Sequence, residues 1–383
     1  MSAGYDVAVV GAGIIGLGAA FAAARRGKRV VVIDRATEPN GATVRNFGHL
    51  CIGAQTGLAR DYAELSRPLW LRLAQDAGFW LQESGTLVVA RHADELALLQ
   101  AATEQGGLDI LDADAVEQCA PVRRGVVFGG GWMRHDLQVD PRSAASAIRV
   151  HLAALGVRFQ RRTAATEVSS GRLVTSRGRI YADQIVVAVG HDLDHLLPGL
   201  AESSSIVRCG LDMLRVLAGL DTPPVVPLLT GWSMLRYGRF ASLPEAETVR
   251  ARLHRERPDL AALDLNQMYT QLPDGSVLVG DTHRKGVDIS PFQSEAAAAL
   301  LLEEFAGLFG RTPHVTERWQ GVYASGPEDF LVSEPEPGVV VLATTTGIGM
   351  TTGLGLAETV LAERLGAAED IHREGTTDDP ADT

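Results

Sequence analysis

The chain has 383 residues, 46% hydrophobic and 21% charged, so it can bury a large core and is expected to form two interleaved domains. A formal net charge of −12 argues against nucleic acid or an anionic membrane as a partner, and no apolar run is long enough to span a bilayer. Three cysteines without a C-x-x-C motif argue against a disulfide scaffold, give no metal site and fit the reducing cytoplasm.

The first elements of the chain predict a nucleotide-binding unit. The apolar, β-branched segment 5–10 predicts a buried parallel strand, 14–26 predicts a helix, and 29–33 predicts a second strand. Asp34 ends that second strand, at the position where an acid accepts hydrogen bonds from ribose hydroxyls. The opening MSAGYDVAVV lacks a basic region and is not expected to be a signal peptide.

Three glycines between the first strand and the helix fit the G-x-G-x-x-G spacing. Gly11 permits the tight turn, Gly13 lets the backbone approach a pyrophosphate, and Gly16 allows close packing of helix and strand. With the acid that follows, this pattern predicts a bound adenine dinucleotide, and the alternative is a glycine-rich turn without a nucleotide. From this stretch the predicted contacts are Gly11, Gly13, Ile14, Ile15, Gly16, Asp34 and Arg35.

The loop after the second strand bears on whether the cofactor is a nicotinamide or a flavin. A nicotinamide enzyme would usually continue into another helix and strand, whereas this chain continues NGATVRNFGHLCIGAQTG, which favours neither element. An extended, glycine-rich segment suits a long cofactor that stays bound along it. The cofactor contacts expected from this loop are Arg45, Asn46, Phe47, Gly48 and His49.

The middle of the chain predicts a helix over 142–156, a strand over 157–160, a hairpin and a buried strand over 184–189. Near the C-terminus, an apolar strand over 339–343 is followed by a glycine loop and a helix over 351–365. A helix N-terminus offers free N–H groups, which stabilise the negative charge that develops at the N1–C2=O edge of a reduced flavin. Reduced nicotinamide is neutral, so this feature favours a flavin that contacts Gly347, Gly349, Met350 and Thr351. The acidic tail 369–383 is expected to be disordered.

Several stretches resemble the glycine oxidase/D-amino-acid oxidase superfamily of FAD enzymes: GAGIIGLGAA, GATVRNFGH, GTLVVARHADELALLQ, LPDGSVLVGDTHRKG and RWQGVYAS. The resemblance implies FAD as the cofactor, Val168 at the adenine, and Ala188 and Gly190 at the pyrophosphate; Gly190 alternatively forms a simple turn. It also implies a non-covalent flavin, because no cysteine follows Cys209, with His49 as the alternative attachment point. VRNFGH, GDTH and GMTTGLGLAE look closest to the branch that degrades aminophosphonates and acts on N-methylated 2-aminoethylphosphonate.

The implied fold is α/β. A Rossmann-type FAD-binding domain of residues 1–78, 137–205 and 315–383 is interleaved with an α+β substrate domain of residues 79–136 and 206–314. The second domain is expected to place a mostly antiparallel sheet over the flavin. The protein is expected to be a monomer or a homodimer. Only Lys28 and Lys285 are lysines, a bias that suggests a GC-rich bacterial genome.

Oxidation of an amine by FAD removes a hydride from the carbon beside nitrogen, so the protein positions the neutral amine and something accepts the ammonium proton. His49 and His283 titrate near neutral pH and are the candidates for catalysis, although His49 fits a packed loop residue equally well. Arg284 and Lys285 follow His283 and form a positive cluster for an anionic head group, or else a solvated loop. Further candidates to bind the anion are Arg45, Arg134, His135, Arg318 and Tyr323.

The expected activity is oxidation of a small anionic amine by FAD, with O2 as the acceptor and an aldehyde, a released amine and hydrogen peroxide as products. Sarcosine oxidases carry a lysine on the strand that corresponds to 276–279, where this chain has none, so a dehydrogenase also stays open. Three further functions fit the same sequence: a glycine, sarcosine or D-amino-acid oxidase, a nicotinamide dehydrogenase, and a flavin-holding subunit without turnover.

Overall fold

The computed structural model describes residues 4–220 and 226–367, so the predicted disordered tail lies outside the described residues. The helices are α1 (Ile14–Ala24), α2 (Gly57–Ala77), α3 (Ala93–Ala102), α4 (Ala113–Cys119), α5 (Pro141–Ala154), α6 (Leu193–Leu196), α7 (Pro198–Ser203), α8 (Gly231–Met234), α9 (Gly238–Ala241), α10 (Glu245–Glu256), α11 (Pro258–Ala262), α12 (Glu295–Phe309) and α13 (Gly349–Leu365). The strands are β1 (Tyr5–Val10), β2 (Val30–Ile33), β3 (His49–Leu50), β4 (Leu81–Gln82), β5 (Thr86–Ala90), β6 (Asp109–Asp112), β7 (Gly129–Met133), β8 (Leu137–Val139), β9 (Arg158–Gln160), β10 (Ala165–Ser169), β11 (Arg172–Thr175), β12 (Gly178–Val187), β13 (Val207–Leu217), β14 (Leu228–Leu229), β15 (Met268–Gln271), β16 (Val277–Gly280), β17 (Arg284–Gly286), β18 (His314–Glu336) and β19 (Val339–Thr346).

One half of the main sheet is parallel, in the order β19, β12, β1, β2 and β9. Its central strands are short apolar runs because both faces are covered: α1, α2 and α13 pack together on one side, and β10 and β11 extend over the other. The carboxyl ends of these strands meet at one edge of the sheet. Such an edge, with a helix starting above it, is the place where doubly wound folds bind dinucleotides.

The other half runs in the order β6, β7, β5, β14, β15, β16, β13 and β18, and every neighbouring pair is antiparallel except β5 with β14. A separate apolar core fills this half, with residues from α3, α10 and α12 packed against the sheet. This arrangement and the parallel half confirm the predicted fold class. Among the described helices, none combines the length and apolarity needed to cross a bilayer.

The 23-residue strand β18 joins the two halves into a single 16-stranded sheet. Residues 314–325 of β18 pair with β13, and residues 325–336 pair with β19. The predicted division at residue 315 therefore lies near the start of a strand that belongs to both halves. Because both halves share β18, the part of the cavity wall in one half is fixed relative to the part in the other half.

The predicted elements are present, with shifted bounds. α1 ends at Ala24 rather than at residue 26, and β12 ends at Val187, because the chain turns from Val189 into a short 3-10 segment at Gly190–Asp192. α13 begins at Gly349, two residues earlier than predicted, so Gly349 itself belongs to the helix. The loop after β2 contains β3, which joins β8 and β4 in a small separate sheet that the sequence pattern did not predict.

Candidate active site

Backbone contacts close the turn between β1 and α1. Gly11 has a φ of +102°, and a Cβ there would overlap the carbonyl oxygen of Ala188, just after β12. A Cβ on Gly16 would overlap the carbonyl oxygen of Gly11. Both positions therefore require glycine, and the close fit lets the first turn of α1 line a cavity above the strand ends.

Asp34 holds the ends of the first two strands and the turn together. Its Oδ2 accepts a hydrogen bond from the N–H of Ala12 at 2.8 Å, and its Oδ1 accepts one from the N–H of Ala36 at 2.7 Å. The hydroxyl of Thr43 accepts a hydrogen bond from the N–H of Ile14 at 2.9 Å. Asp34 and Arg35 both lie in the cavity wall at this end, where a ribose hydroxyl would find the carboxylate.

The loop after β2 passes along the cavity and then leaves it. Asn46 donates hydrogen bonds from Nδ2 to the carbonyl oxygens of Ala42 and Thr43 at 2.9 and 2.8 Å, which fixes a tight local turn. Arg45 donates from Nη1 to the carbonyl of Gln320 on β18 at 3.1 Å. Arg45, Asn46 and Phe47 line the cavity. Gly48 lies behind it, since a Cβ there would overlap the carbonyl oxygen of Val139.

His49 lies outside the cavity wall, contrary to the position that the resemblance implied. Its Nε2 is 2.6 Å from the hydroxyl of Thr86, which donates to Asp136 Oδ2 at 2.6 Å, and its Nδ1 is 3.3 Å from the sulfur of Met268. The pairing of β3 with β8 turns the imidazole into the protein interior, where it is 7% exposed. His49 therefore belongs to a buried hydrogen-bonded network.

The same network contains a group of potential metal ligands. His49, Cys51 and Asp136 place ligand atoms within 4.8 Å of one another. Asp136 Oδ1 already accepts the N–H of Gly53 at 2.6 Å, and burial raises the pKa of the Cys51 thiol well above its ordinary value. Because the thiol is held protonated and the carboxylate oxygens accept hydrogen bonds, these atoms are engaged within the protein.

A single large cavity of about 940 Å³ runs between the two halves of the molecule in its described part. It begins at the β1–α1 turn, passes residues 163–165 and reaches the N-terminus of α13 and the substrate half. The predicted site residues in its wall are Gly11, Gly13, Ile14, Ile15, Asp34, Arg35, Arg45, Asn46, Phe47, Ala188, Gly190, His283, Lys285, Tyr323, Gly347, Gly349 and Met350. Those outside the wall are Gly16, Gly48, His49, Arg134, Val168, Arg284, Arg318 and Thr351.

The N-terminus of α13 meets the cavity where the two halves join. Gly347 has a φ of +81°, and a Cβ there would be 3.2 Å from the ring of Tyr323 on β18. Met350 is fixed by the indole N–H of Trp70, which donates to its carbonyl oxygen at 3.0 Å. Thr351 points away from the cavity, since its hydroxyl accepts the N–H of Cys51 at 3.1 Å. The first-turn amides of α13 lack partners within the helix and suit an electron-rich ring edge.

Three of the arginines predicted to bind the substrate are paired elsewhere. Arg284 donates from Nη1 to the carboxylate of buried Asp212 at 2.8 Å. Arg318 pairs with Glu295, and Arg134 pairs with Asp109, both at the protein surface. His135 likewise lies outside the cavity wall. Arg284 turns away from the cavity because side chains alternate along a strand. Arg284 and Lys285 are neighbours on β17 and point to opposite faces, and Lys285 lies in the cavity wall.

Besides Arg250, which pairs with Glu247, Arg236 is a cavity-lining arginine of the substrate half that sequence reasoning missed. It follows α8, and its Nη1 donates to Asp264 Oδ1 at 2.8 Å. The segment LRYG around it carries no motif, so only the packing of α8 against the substrate sheet brings the guanidinium to the cavity.

His283 lies at the cavity as predicted but does not titrate near neutral pH. Its Nδ1 is 2.9 Å from the carbonyl oxygen of Asp264, so Nδ1 carries the hydrogen. Burial, together with the charge of Arg236, lowers the pKa of His283 to about 3. Sequence reasoning passed over Asp281, a second cavity-lining titratable group, which directly follows a buried strand. Burial raises its pKa to about 7.

The comparison with known proteins gives a family and a fold. A sequence profile described as FAD dependent oxidoreductase (DAO) matches residues 6–364. Glycine oxidase from Geobacillus kaustophilus superposes with a TM-score of 0.75 at 20% identity, covering 98% of this chain and 99% of that one. Iminodiacetate oxidase from Chelativorans sp. BNC1 gives a TM-score of 0.74 at 19% identity, covering 96% and 97%. No match to a curated protein sequence was found.

A third solved structure carries the cofactor. L-alpha-glycerophosphate oxidase from Mycoplasma pneumoniae with FAD bound superposes with a TM-score of 0.74 at 18% identity, covering 95% of each chain. The residues of the present cavity fit that group, because the turn that needs glycine at Gly11 and Gly16 leads to a ribose-binding acid, and a second helix N-terminus lies further along. Since the profile spans nearly the whole sequence and the cavity provides for a flavin dinucleotide, this chain belongs to the DAO family of FAD-dependent oxidoreductases.

Proposed function

We propose that this protein oxidises the C–N bond of a small anionic amine, with N-methylated 2-aminoethylphosphonate as the substrate. The observation that carries the proposal is that two cationic side chains, Arg236 and Lys285, lie in the cavity wall beyond α13 in a protein with a net charge of −12. Asp264, which pairs with Arg236, and Asp281 lie in the same wall. An anion entering this end exchanges its water for fixed cationic donors. The proposed substrate has a dianionic head group at one end and the reacting nitrogen near the other.

FAD, when bound, accepts a hydride from the carbon next to the nitrogen. The neutral amine thereby becomes an iminium ion. Water adds to the iminium carbon and the C–N bond breaks, which gives an aldehyde and the released amine. In the favoured form of the reaction O2 takes the electrons and leaves as hydrogen peroxide. The chain's own contribution is to hold the cofactor and to bind the amine in its reactive protonation state and orientation.

The residues that would hold FAD divide into two groups. The β1–α1 turn and Asp34 would bind the pyrophosphate and the ribose, as backbone amides and an acid do in other dinucleotide sites. Gly349 and Met350 at the start of α13 would face the pyrimidine edge of the flavin, where their N–H groups stabilise negative charge. Tyr323 supports this end, because its ring packs against Gly347 and lies 6.4 Å from the ring of His283.

The donors for the anionic head group are Arg236 and Lys285. The Arg236 guanidinium donates from Nη1 to Asp264, and its other N–H groups have no hydrogen-bond partner among the described residues, which leaves them for a ligand. A guanidinium matches two oxygens of a phosphonate at once. Lys285 forms no ion pair with any residue of the described ranges 4–220 and 226–367. Its ammonium group also supplies positive charge that favours reaction of reduced flavin with O2.

The test begins with purified holoprotein mixed anaerobically with a panel of amines. N-methylated 2-aminoethylphosphonate is expected to bleach the flavin absorbance fastest, and reoxidation in air is expected to release hydrogen peroxide. Bleaching without peroxide would identify a dehydrogenase. A protein whose flavin no amine bleaches would contradict the proposal and favour a flavin-holding subunit.

The second candidate function is oxidation of a small amino acid, since glycine oxidase and iminodiacetate oxidase share the fold and are named after carboxylate-bearing amines. The same Arg236 and Lys285 would then bind a carboxylate. Glycine, sarcosine, iminodiacetate and D-alanine therefore belong in the panel. Faster bleaching by one of these than by the phosphonate would select this candidate.

A further inference from the structure

We propose that Asp281 accepts the proton that the substrate ammonium must lose before its C–H bond can give up a hydride. The inference rests on the proposed oxidation of an amine and assigns one step of it to a carboxylate of this chain. The step transfers one proton from nitrogen to a carboxylate oxygen, which leaves a neutral amine with a free lone pair and a neutral carboxylic acid.

The backbone fixes Asp281 at the cavity wall. The residue directly follows β16, and its N–H donates to the carbonyl oxygen of Asn266 at 2.7 Å. Its own carbonyl oxygen accepts the N–H of Asn266 at 2.8 Å. These reciprocal bonds, with the N–H of His283 donating to Leu263 at 2.9 Å, hold the segment after β16 against the segment before β15. The position of Asp281 is therefore set by backbone hydrogen bonds that extend the pairing of β15 and β16 beyond the strand ends.

The side chain of Asp281 has an unused acceptor. Asp281 is 4% exposed and lines the cavity. Its Oδ1 is buried and has no hydrogen-bond partner in the part of the chain that the structure describes. A buried carboxylate oxygen without a donor is unfavourable, so a donor from a bound ligand would be strongly preferred there. An ammonium N–H is a donor of the right charge.

The groups around Asp281 come from four other places in the fold and from its own segment. Arg236 and Tyr237 follow α8, Asp264 and Asn266 precede β15, His283 lies two residues further along its own segment, Cys209 lies on β13 and Tyr323 lies on β18. Burial is the largest influence and raises the pKa of Asp281 to about 7, while Arg236 and Asn266 oppose the rise and Asp264 adds to it. A base whose pKa lies near the working pH is well matched to proton transfer.

His283 lies beside Asp281 and is neutral. Since its Nδ1 carries the hydrogen that faces the carbonyl of Asp264, its Nε2 has the lone pair, and this atom is 3.7 Å from Asp281 Oδ2. With its pKa lowered to about 3 by burial, the imidazole stays neutral and does not compete for the proton. After product release the proton returns from Asp281 to water and balances the proton that peroxide formation takes up.

The experiment compares holoenzyme with Asp281→Asn in two measurements. The first is an infrared pH titration without substrate between about pH 5 and about pH 9. The wild type is expected to lose the C=O band of one protonated carboxylic acid with a midpoint near pH 7, and Asp281→Asn is expected to lack this transition. Asp274→Asn is the matched control, because Asp274 lies on the β15–β16 turn, pairs with Arg215 at the surface and should leave the transition unchanged.

The second measurement is the anaerobic rate of flavin reduction against pH, with N-methylated 2-aminoethylphosphonate as the probe. The wild-type rate should rise through pH 7 as Asp281 loses its proton. In Asp281→Asn the limb near pH 7 should be lost, and the rate should rise only toward the ordinary alkyl-ammonium pKa of about 10, a shift of the midpoint by about three pH units. Asp281→Glu should return part of the rate at neutral pH.

The outcomes separate the two proposals. If no amine reduces wild-type flavin, the proposed function fails. If wild-type flavin is reduced but Asp281→Asn keeps the same pH profile, or the infrared transition persists in that variant, the assignment of Asp281 is overturned while the function stands. Should Asp281→Asn fail to fold, absence of any carboxylic acid transition near pH 7 in the wild type would overturn the assignment by itself.

Discussion

The two halves of the long sheet build their parts of the cavity in different ways. In the parallel half the wall follows the main chain: the turn at Gly11 and Gly16 packs closely against main-chain oxygens, and the first turns of α1 and α13 line the cavity. In the antiparallel half the wall is made of side chains, among them Arg236, Asp281 and Lys285, from elements far apart in sequence. The first half shapes the cavity by main-chain packing, and the second presents charged side chains to it.

The largest effect is expected from breaking the backbone wall. Gly16→Val would place a side chain on the carbonyl oxygen of Gly11, which cannot move without displacing β1. We expect the variant to be purified without bound flavin or to fail to fold, as measured by the ratio of flavin to protein absorbance. Gly199→Ala is the control, because no atom lies within 4 Å of a Cβ at that position and its φ is not positive. Full flavin content in Gly16→Val would contradict the backbone account.

A smaller effect is expected from the side-chain wall. Arg236→Met removes charge-assisted hydrogen bonds that are each worth about 1.5–3 kcal/mol, so KM for an anionic amine should rise about 10- to 100-fold with flavin content unchanged. Arg236→Lys should recover part of the affinity. Arg318→Met, which alters a surface arginine paired with Glu295, should leave KM unchanged. An equal rise in KM for Arg236→Met and Arg318→Met would show that Arg236 does not contact the substrate and that both arginines act by long-range electrostatics.

The pH dependence of stability gives a further comparison. The pKa of Asp281 is about 7 in the folded protein and 3.8 when unfolded, so the folded state holds more protons between these values and stability falls as pH rises through this window. Asp281→Asn removes this loss of folding stability, which is on the order of 2–4 kcal/mol. Its Tm should exceed that of wild type at about pH 8 and match it near pH 4. A Tm difference that does not vary with pH would contradict the raised pKa.

The smallest expected effect concerns His49, which the sequence placed beside the flavin. Since its imidazole bonds to Thr86 behind the cavity wall, acid precipitation should release all flavin into the supernatant, in wild type and in His49→Gln alike. Flavin that stays with the wild-type pellet but leaves His49→Gln would establish a covalent bond and require this ring to turn toward the cavity.

The sequence by itself determined the parallel half. Two continuous apolar strands, the spaced glycines and Asp34 lie within about thirty consecutive residues, so the local sequence is enough to place them. The same holds for Gly347 and the start of α13, where a strand, a turn and a helix follow one another directly. This local pattern, together with the resemblance to the glycine oxidase/D-amino-acid oxidase superfamily, is why the fold class was predicted.

Only the tertiary structure decided the substrate end. Whether Arg284 or Lys285 faces the cavity depends on the register of β17 against β13, and Arg236 reaches the cavity through the packing of α8. The sequence predicted that His283 titrates near neutral pH, whereas the structure gives this property to Asp281, and the cause is the same. A pKa depends on burial and on charges brought near by strands distant in sequence, and no local pattern of residues encodes either.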